Sequence, residues 1–123
     1  MIREWINMRR EIVNQIQIPN KPYVTFTHDG TRYLQDTVGQ AEAKFAEDEV
    51  GEPLIETVDL YLNDPNLFRT YGRDAAGSRT WDGGIPCLRE VNGYPGVGED
   101  SLDNTEEDWG AGSRGRKIIA LGS

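Results

Sequence analysis

The alternation of apolar and polar positions is clearest between residues 23 and 36. Residues 23–28 are rich in aromatic and β-branched side chains, which favour strands. Asp29-Gly30 follows, a dipeptide that readily adopts the positive φ angles of a type I′ turn. Residues 31–36 then form the returning half of the pattern, which predicts a β-hairpin over 23–36. Its covered face would carry Val24, Phe26 and Tyr33.

Apolar residues at helical spacing predict an amphipathic helix over residues 2–17. Pro19 and Pro22 end this pattern and favour an extended segment. A lone hairpin is marginal in water, so the helix is expected to cover the 23–36 hairpin. The alternative is that this helix docks on a partner subunit, with Trp5 in the contact.

Shorter patterns mark four further elements. Thr37 can cap a helix that continues to residue 46. Residues 54–62 fit a strand and a helix almost equally; the flanking breakers and β-branched residues favour the strand narrowly. Asp64-Pro65 then predicts a short helical turn. Later elements are a strand over 85–91, a turn at Asn92-Gly93 and a last strand over 117–121.

The region from residue 72 to residue 116 has a different composition. It holds ten of the chain's fourteen glycines and only nine large apolar or cysteine residues. Glycine loses much conformational entropy on ordering, and few apolar side chains are present to offset that loss. The sequence therefore predicts an α+β fold with a compact module at 1–71 and an extended, mostly irregular arm at 72–123. The compact module would be a small antiparallel sheet built on the hairpin.

Charge and length limit the classes of partner. The chain has 123 residues and a net charge of −8. Such a surface repels nucleic-acid backbones and anionic membranes, so neither is an expected ligand. A single cysteine allows no internal disulfide, and charges from Arg3 onward disfavour a signal peptide. The expected location is a virion or the host cytoplasm.

Candidate chemistry is sparse. His28 beside Asp29 could act as a general base, but the predicted turn already explains Asp29. Cys87 is expected to be a small buried hydrophobe rather than a nucleophile. One cysteine and one histidine do not make a zinc site. The acidic run 99–108 is expected to be a solvated loop, with calcium binding as the open alternative. No enzyme activity, cofactor or metal is therefore expected.

Several residues are predicted to meet protein partners instead. Two tryptophans lie in glycine-rich surroundings, where tryptophan either fills a local cluster or anchors an interface. A small basic cluster follows the acidic run and could pair with it or with a neighbouring copy. The interface candidates are Trp5, Trp81, Tyr94, Trp109, Arg114, Arg116 and Lys117.

Two functions are compatible with this pattern. The first is a non-enzymatic structural subunit whose arm is ordered by other subunits of the same assembly. A small phage-like virion protein of the head, neck, tail or surface decoration is the favoured example. The alternative is an acidic inhibitor that imitates nucleic acid, because residues 47–64 carry seven acids and no basic residue.

Overall fold

The computed structural model describes residues 12–28 and 30–121, and its centre is a five-stranded sheet. The strand order is β3-β8-β4-β6-β7, in which β4 and β8 are parallel and the other pairs are antiparallel. These strands span Glu49–Gly51 (β3), Gly72–Ala75 (β4), Ile85–Val91 (β6), Tyr94–Asp100 (β7) and Trp109–Gly115 (β8).

Two short ribbons flank the sheet. The first pairs β1, Ile12–Gln15, with β5, Ser78–Thr80. The second pairs β2, Tyr23–Val24, with β9, Ile119–Ala120. The mixed α+β content predicted from the sequence is therefore present, but the sheet is built from different strands.

The helices cover both faces of the sheet. They are α1 (Val38–Ala43), α2 (Leu54–Asn63) and α3 (Leu67–Thr70), together with a 3₁₀ turn over Thr31–Tyr33. One buried cluster joins α2 and α3 to Ala75 and Leu88. The other joins Tyr33 and α1 to Ile85 and Ala111. Because side chains alternate along a strand, Ile85 and Leu88 lie on opposite faces, and so do the two clusters.

The predicted hairpin over 23–36 is wrong. Residues 23–24 pair with β9 at the other end of the chain, and residues 31–33 form the 3₁₀ turn. Gly30 does adopt a positive φ of 87°, but the chain then enters this turn instead of a returning strand. The local signal therefore predicted the φ angle of Gly30 correctly and the conformation of residues 31–33 wrongly.

The predicted helix over 2–17 is wrong at residues 12–15, which form β1. The β-branched Ile12 is paired with Thr80, and Ile12 packs against the cluster under α2. The rest of that prediction, including Trp5, lies outside the described residues. The narrow preference for a strand over 54–62 is also wrong, because α2 buries Leu54, Val58 and Tyr61 on one helical face.

Other local predictions are confirmed. Thr37 caps α1 through a capping box with Gln40. A helical turn follows Pro65, and β6 spans the predicted strand at 85–91. Asn92 and Gly93 both have positive φ and join β6 to β7, as a two-residue type I′ turn requires. The last strand, β9, is shorter than predicted.

The predicted irregular arm after residue 72 is wrong, because most of the central sheet lies there. β3 comes before the proposed boundary and pairs with β8 after it. The glycines serve close packing: the Trp109 ring occupies the space that a side chain at Gly72 would fill, and Gly51 meets the backbone of Gly77. Counting large apolar side chains missed these contacts and the hydrogen bonds of the sheet.

Candidate functional site

A buried polar cluster surrounds Glu49 at one edge of the sheet. Its carboxylate accepts hydrogen bonds from Ser113 Oγ at 2.5 Å, Tyr33 Oη at 2.8 Å and the Ala46 backbone N–H at 3.0 Å. His28 Nδ1 lies 3.1 Å from Glu49 Oε2. β3, β8 and the 3₁₀ turn bring these side chains together, although they are far apart in the sequence.

These hydrogen bonds determine the charge of Glu49. Burial by itself would raise the pKa of this carboxyl group. The bonds from Ser113, Ala46, Tyr33 and His28 outweigh burial and lower its pKa to about 2. Burial and the bond to Glu49 raise the pKa of Tyr33 to about 12. At neutral pH the cluster therefore holds a carboxylate and a neutral phenol.

The serine, histidine and glutamate of this cluster do not form a catalytic relay. In such a relay the carboxylate and the nucleophile occupy opposite nitrogens of the imidazole. Here Glu49 Oε2 and Ser113 Oγ both lie 3.1 Å from His28 Nδ1, and Ser113 is fully buried. Ser113 donates its hydroxyl proton to Glu49 instead. Asp29, which follows His28 in the sequence and was predicted to lie in a turn, is outside the described residues.

A buried ion pair lies beside this cluster. Arg73 Nε and Nη2 donate to the two oxygens of Glu52 at 2.9 and 3.1 Å, and Nη2 also reaches the carbonyl of His28. Thr57 Oγ1 donates to Glu52 at 2.7 Å. Arg73 and Glu52 thus connect β4, α2 and the segment before the 3₁₀ turn, which is a structural role.

Arg114 belongs to a third internal network. It is only 3% exposed, and its Nε donates to Glu56 at 2.6 Å. Tyr23 Oη donates to the same carboxylate at 2.7 Å, and burial with this bond raises the pKa of Tyr23. Glu56 of α2 is therefore bonded to both Arg114 of β8 and Tyr23 of β2. Arg116 and Lys117 are exposed, and Arg116 Nε donates to the carbonyl of Glu47.

Trp109, another interface candidate, is half-buried in the fold. Its Nε1 donates to Asp74 Oδ1 at 2.7 Å, and the Arg89 guanidinium lies 5.8 Å from its ring. The same ring lies over Gly72. These contacts agree with the first of the two alternatives for Trp109, in which the ring fills a local cluster of the fold.

Asp74 lies in a strand at the centre of the sheet and is almost fully buried. Burial and the neighbouring Asp100 raise its pKa to about 8, although the bond from Trp109 opposes this. Burial beside Asp74 raises the pKa of Cys87 to about 12. Cys87 is buried and remains a thiol at neutral pH, as a small core residue does.

Two of the candidates are instead strongly exposed. Trp81 is 71% exposed and Tyr94 is 75% exposed. Tyr94 and Val91 flank the β6–β7 turn, and we call this pair the turn site. Trp81 and the half-exposed Leu102 lie near the opposite end of that hairpin, and we call them the base site.

A third exposed surface was not predicted. Val24 and Ile119 are paired across the β2–β9 ribbon, so their side chains share a face. Phe26, which is 58% exposed, and Leu121 extend this surface at either end. We call these four residues the ribbon site. The predicted hairpin placed Val24 and Phe26 in a covered core, and only the long-range pairing with β9 exposes them.

Metal sites and membrane spans are both missing from the described part of the chain. Within residues 12–28 and 30–121, no group of three or more histidine, cysteine, aspartate or glutamate side chains is placed to hold a metal ion. No helix in these two ranges is both long and apolar enough to cross a bilayer. In the 99–108 run, Asp108 pairs with Arg89 at 2.6 Å and Asp100 binds Asn104 at 2.9 Å.

The comparisons with known proteins add no family and no related fold: no family model, no curated protein and no solved structure matches this chain.

Proposed function

We propose that this chain is a non-enzymatic structural subunit of a larger assembly. The observation that carries the proposal is that three exposed apolar surfaces in the described part of the chain, the turn site, the base site and the ribbon site, are separate from one another. Exposed aromatic residues of this kind serve as anchors at protein interfaces. Three separate surfaces favour contacts with several neighbours.

The dimensions of the β6–β7 hairpin support this interpretation. Its strands have seven residues each, and a strand rises about 3.3 Å per residue. The turn site and the base site therefore lie about 20 Å apart along the sheet. A single small contact would not cover both, whereas neighbours on two sides of a subunit in a shell or tube would.

The interior suits a subunit of fixed shape. Three buried or half-buried carboxylates, Glu49, Glu52 and Glu56, each connect elements that are distant in the sequence. Each of these carboxylates is hydrogen-bonded, and buried polar networks of this kind favour one arrangement over alternatives. A phage-like virion, in which this chain would be a head, neck, tail or decoration protein, is the assembly that we propose.

The alternative of an acidic inhibitor receives less support from the geometry. Residues 47–64 carry seven acids, but Glu49, Glu52 and Glu56 are bonded to Ser113, Arg73 and Arg114 inside the fold. The exposed remainder is Glu47, Asp48, Asp59 and Asp64. An imitation of a phosphate backbone needs a dense row of free charges. Binding to a basic nuclease that weakens steeply with salt would support the inhibitor instead.

Site-specific photo-crosslinking tests the proposal. A photoreactive amino acid replaces Trp81, Tyr94 or Phe26 in turn, and the exposed Glu47 serves as the control position. In the native source material, each of the three apolar positions should crosslink within one high-mass particle, and Glu47 should not. Crosslinks through only one position would support a one-partner inhibitor. A chain that always migrates at its own mass of 13.8 kDa would contradict the proposal.

A further inference from the structure

Both ends of the loop over residues 101–108 meet the same buried side chain. We call this segment the acidic loop. It begins after Asp100, the last residue of β7, and ends before Trp109, the first residue of β8. Trp109 Nε1 donates to Asp74 Oδ1 at 2.7 Å. The Asp100 carboxyl group, on the same face of the sheet, lies within hydrogen-bonding reach of Asp74.

The sheet register places the side chains of Asp74 and Asp100 on the same face. Asp74 pairs with Cys87, and Cys87 pairs with Gly98 on the next strand. Asp100 lies two residues beyond Gly98 and therefore shares the face of Asp74. Carboxylate oxygens only accept hydrogen bonds, so a bond between these two groups requires one proton between them.

Asp100 also holds the start of the acidic loop. Its Oδ1 accepts the Ser101 backbone N–H and the Asn104 side-chain amide, both at 2.9 Å. A change in the position of the Asp100 carboxyl group would therefore move the first turn of the acidic loop. Residues 101–107 are exposed, so this loop can move without disturbing the core.

We propose that Asp74 and Asp100 share one proton, which fastens the acidic loop to the sheet, and that loss of this proton in alkaline solution loosens the loop. The inference concerns the fold alone and does not depend on the proposed function. Because Leu102 lies in the acidic loop, loosening would also rearrange the base site.

The charges around Asp74 favour this behaviour. Asp100 on β7, Glu106 in the acidic loop and Cys87 on β6 all face it, and each is acidic or neutral. Arg89 lies against the Trp109 ring, but its guanidinium is bonded to Asp108. The pKa of Asp74 is raised to about 8. Above that pH, carboxylates at positions 74, 100 and 106 would repel one another.

Hydrogen exchange of the full chain tests the proposal. Amide exchange in the acidic loop, corrected for its intrinsic pH dependence, is compared at about pH 6.5 and about pH 9. We expect amide exchange in the acidic loop to accelerate on the order of tenfold at the higher pH, while the amides of β4 and β8 stay much slower than those of the loop at both pH values. In Asp100→Asn, the amide donates to Asp74 at either pH, so the pH effect should disappear. Asp103→Asn removes one exposed charge from the same loop and should keep it.

Two results would overturn the proposal. One is corrected exchange in the acidic loop that is independent of pH. The other is a pH effect that persists unchanged in Asp100→Asn. If that variant does not fold, the proposal is tested by carbon-13 NMR of the aspartate carboxyl groups in the unmodified chain. A carboxyl signal that titrates near pH 8 supports the shared proton, whereas titration of every aspartate below about pH 5 contradicts it.

Discussion

Gly30 shows how one residue can meet two separate requirements. Its φ of 87° lies in the left-handed region that disfavours side chains. A side chain there would also come within 2.7 Å of Arg73 Nη1, an atom without a hydrogen-bond partner among the described residues. The backbone angle follows from local sequence, whereas the close approach of Arg73 follows from the tertiary fold.

Gly30→Ala should therefore destabilise the chain by more than the cost of the left-handed backbone angle alone. Gly93→Ala is the matched control, because Gly93 has a φ of 81° and open space around it. We expect about 1–2 kcal/mol for Gly93→Ala from the left-handed angle. Gly30→Ala should cost about 1–3 kcal/mol more, because Arg73 must shift. Urea unfolding measures both, and equal losses would refute the role given to Arg73.

The Arg73–Glu52 pair leads to a second prediction. Glu52→Gln leaves a buried guanidinium without its counter-charge, which should cost about 3–5 kcal/mol of unfolding free energy. Asp36→Asn removes the partner of Lys44 in an ion pair with an exposed lysine, and it should cost less than about 1 kcal/mol. Thermal or urea unfolding of the two variants compares them. Similar losses would mean that the Arg73 network does not stabilise the fold.

At the scale of elements, α2 shows how packing chooses between two local possibilities. Residues 54–62 fit strand and helix patterns almost equally, and β-branched residues favoured the strand. In the fold the segment begins after Pro53 and lays Leu54, Val58 and Tyr61 against Phe68 and the sheet. Residues 54, 58 and 61 fall on a single surface in a helix, whereas in a strand residue 61 would point to the opposite side.

Two leucines of α2 test this arrangement. Leu54 is 1% exposed and lies in the cluster, whereas Leu62 is 65% exposed. Leu54→Ala should cost about 2–5 kcal/mol because it leaves a cavity. Leu62→Ala should change stability by less than about 0.5 kcal/mol. A large loss from Leu62→Ala, or none from Leu54→Ala, would show that the helix packs through a different face.

At the scale of the whole molecule, Glu49 and Asp74 give stability two opposite pH dependences. The pKa of Glu49 is lowered from 4.5 to about 2, so its contribution is present above about pH 4.5 and is lost as pH falls toward 2. The pKa of Asp74 is raised from 3.8 to about 8, so its contribution is complete below about pH 4 and is lost as pH rises toward 8.

Stability should therefore be greatest at mildly acidic pH. Urea midpoints over a series of pH values measure it. Asp74→Asn should flatten the decline between about pH 4 and pH 8, and Glu49→Gln should flatten the decline in acid. If stability declines toward alkaline pH identically in Asp74→Asn and the unmodified chain, the pKa of Asp74 in the folded chain is not raised.

The region from residue 72 onward should be ordered in the isolated chain. The strands from residue 72 onward form four of the five in the central sheet, so their amides should exchange as slowly as those of any other described element in the isolated chain. Hydrogen exchange followed by peptide mapping measures this. Rapid exchange throughout residues 72–115, beside slow exchange in α2, would restore the idea of an arm that needs a partner.

The sequence alone determined features whose cause lies within a few residues. The capping box at Thr37, the type I′ turn at Asn92-Gly93 and the strand over 85–91 all follow from local propensity and hydrogen bonding. The burial of Cys87 also follows from its apolar neighbours. Such signals require no knowledge of distant residues, which is why they were predictable.

The tertiary structure decided everything that depends on distant partners. Tyr23 and Val24 pair with a strand near residue 120, and the glycine-rich half orders because Gly51, Gly72 and Gly77 admit neighbouring backbone and the Trp109 ring. Arg114 and Trp109 are bonded to Glu56 and Asp74 inside the fold, whereas Trp81 and Tyr94 remain exposed. Spacing along the chain does not encode which carboxylate meets which cation, because those contacts form only when the whole sheet closes.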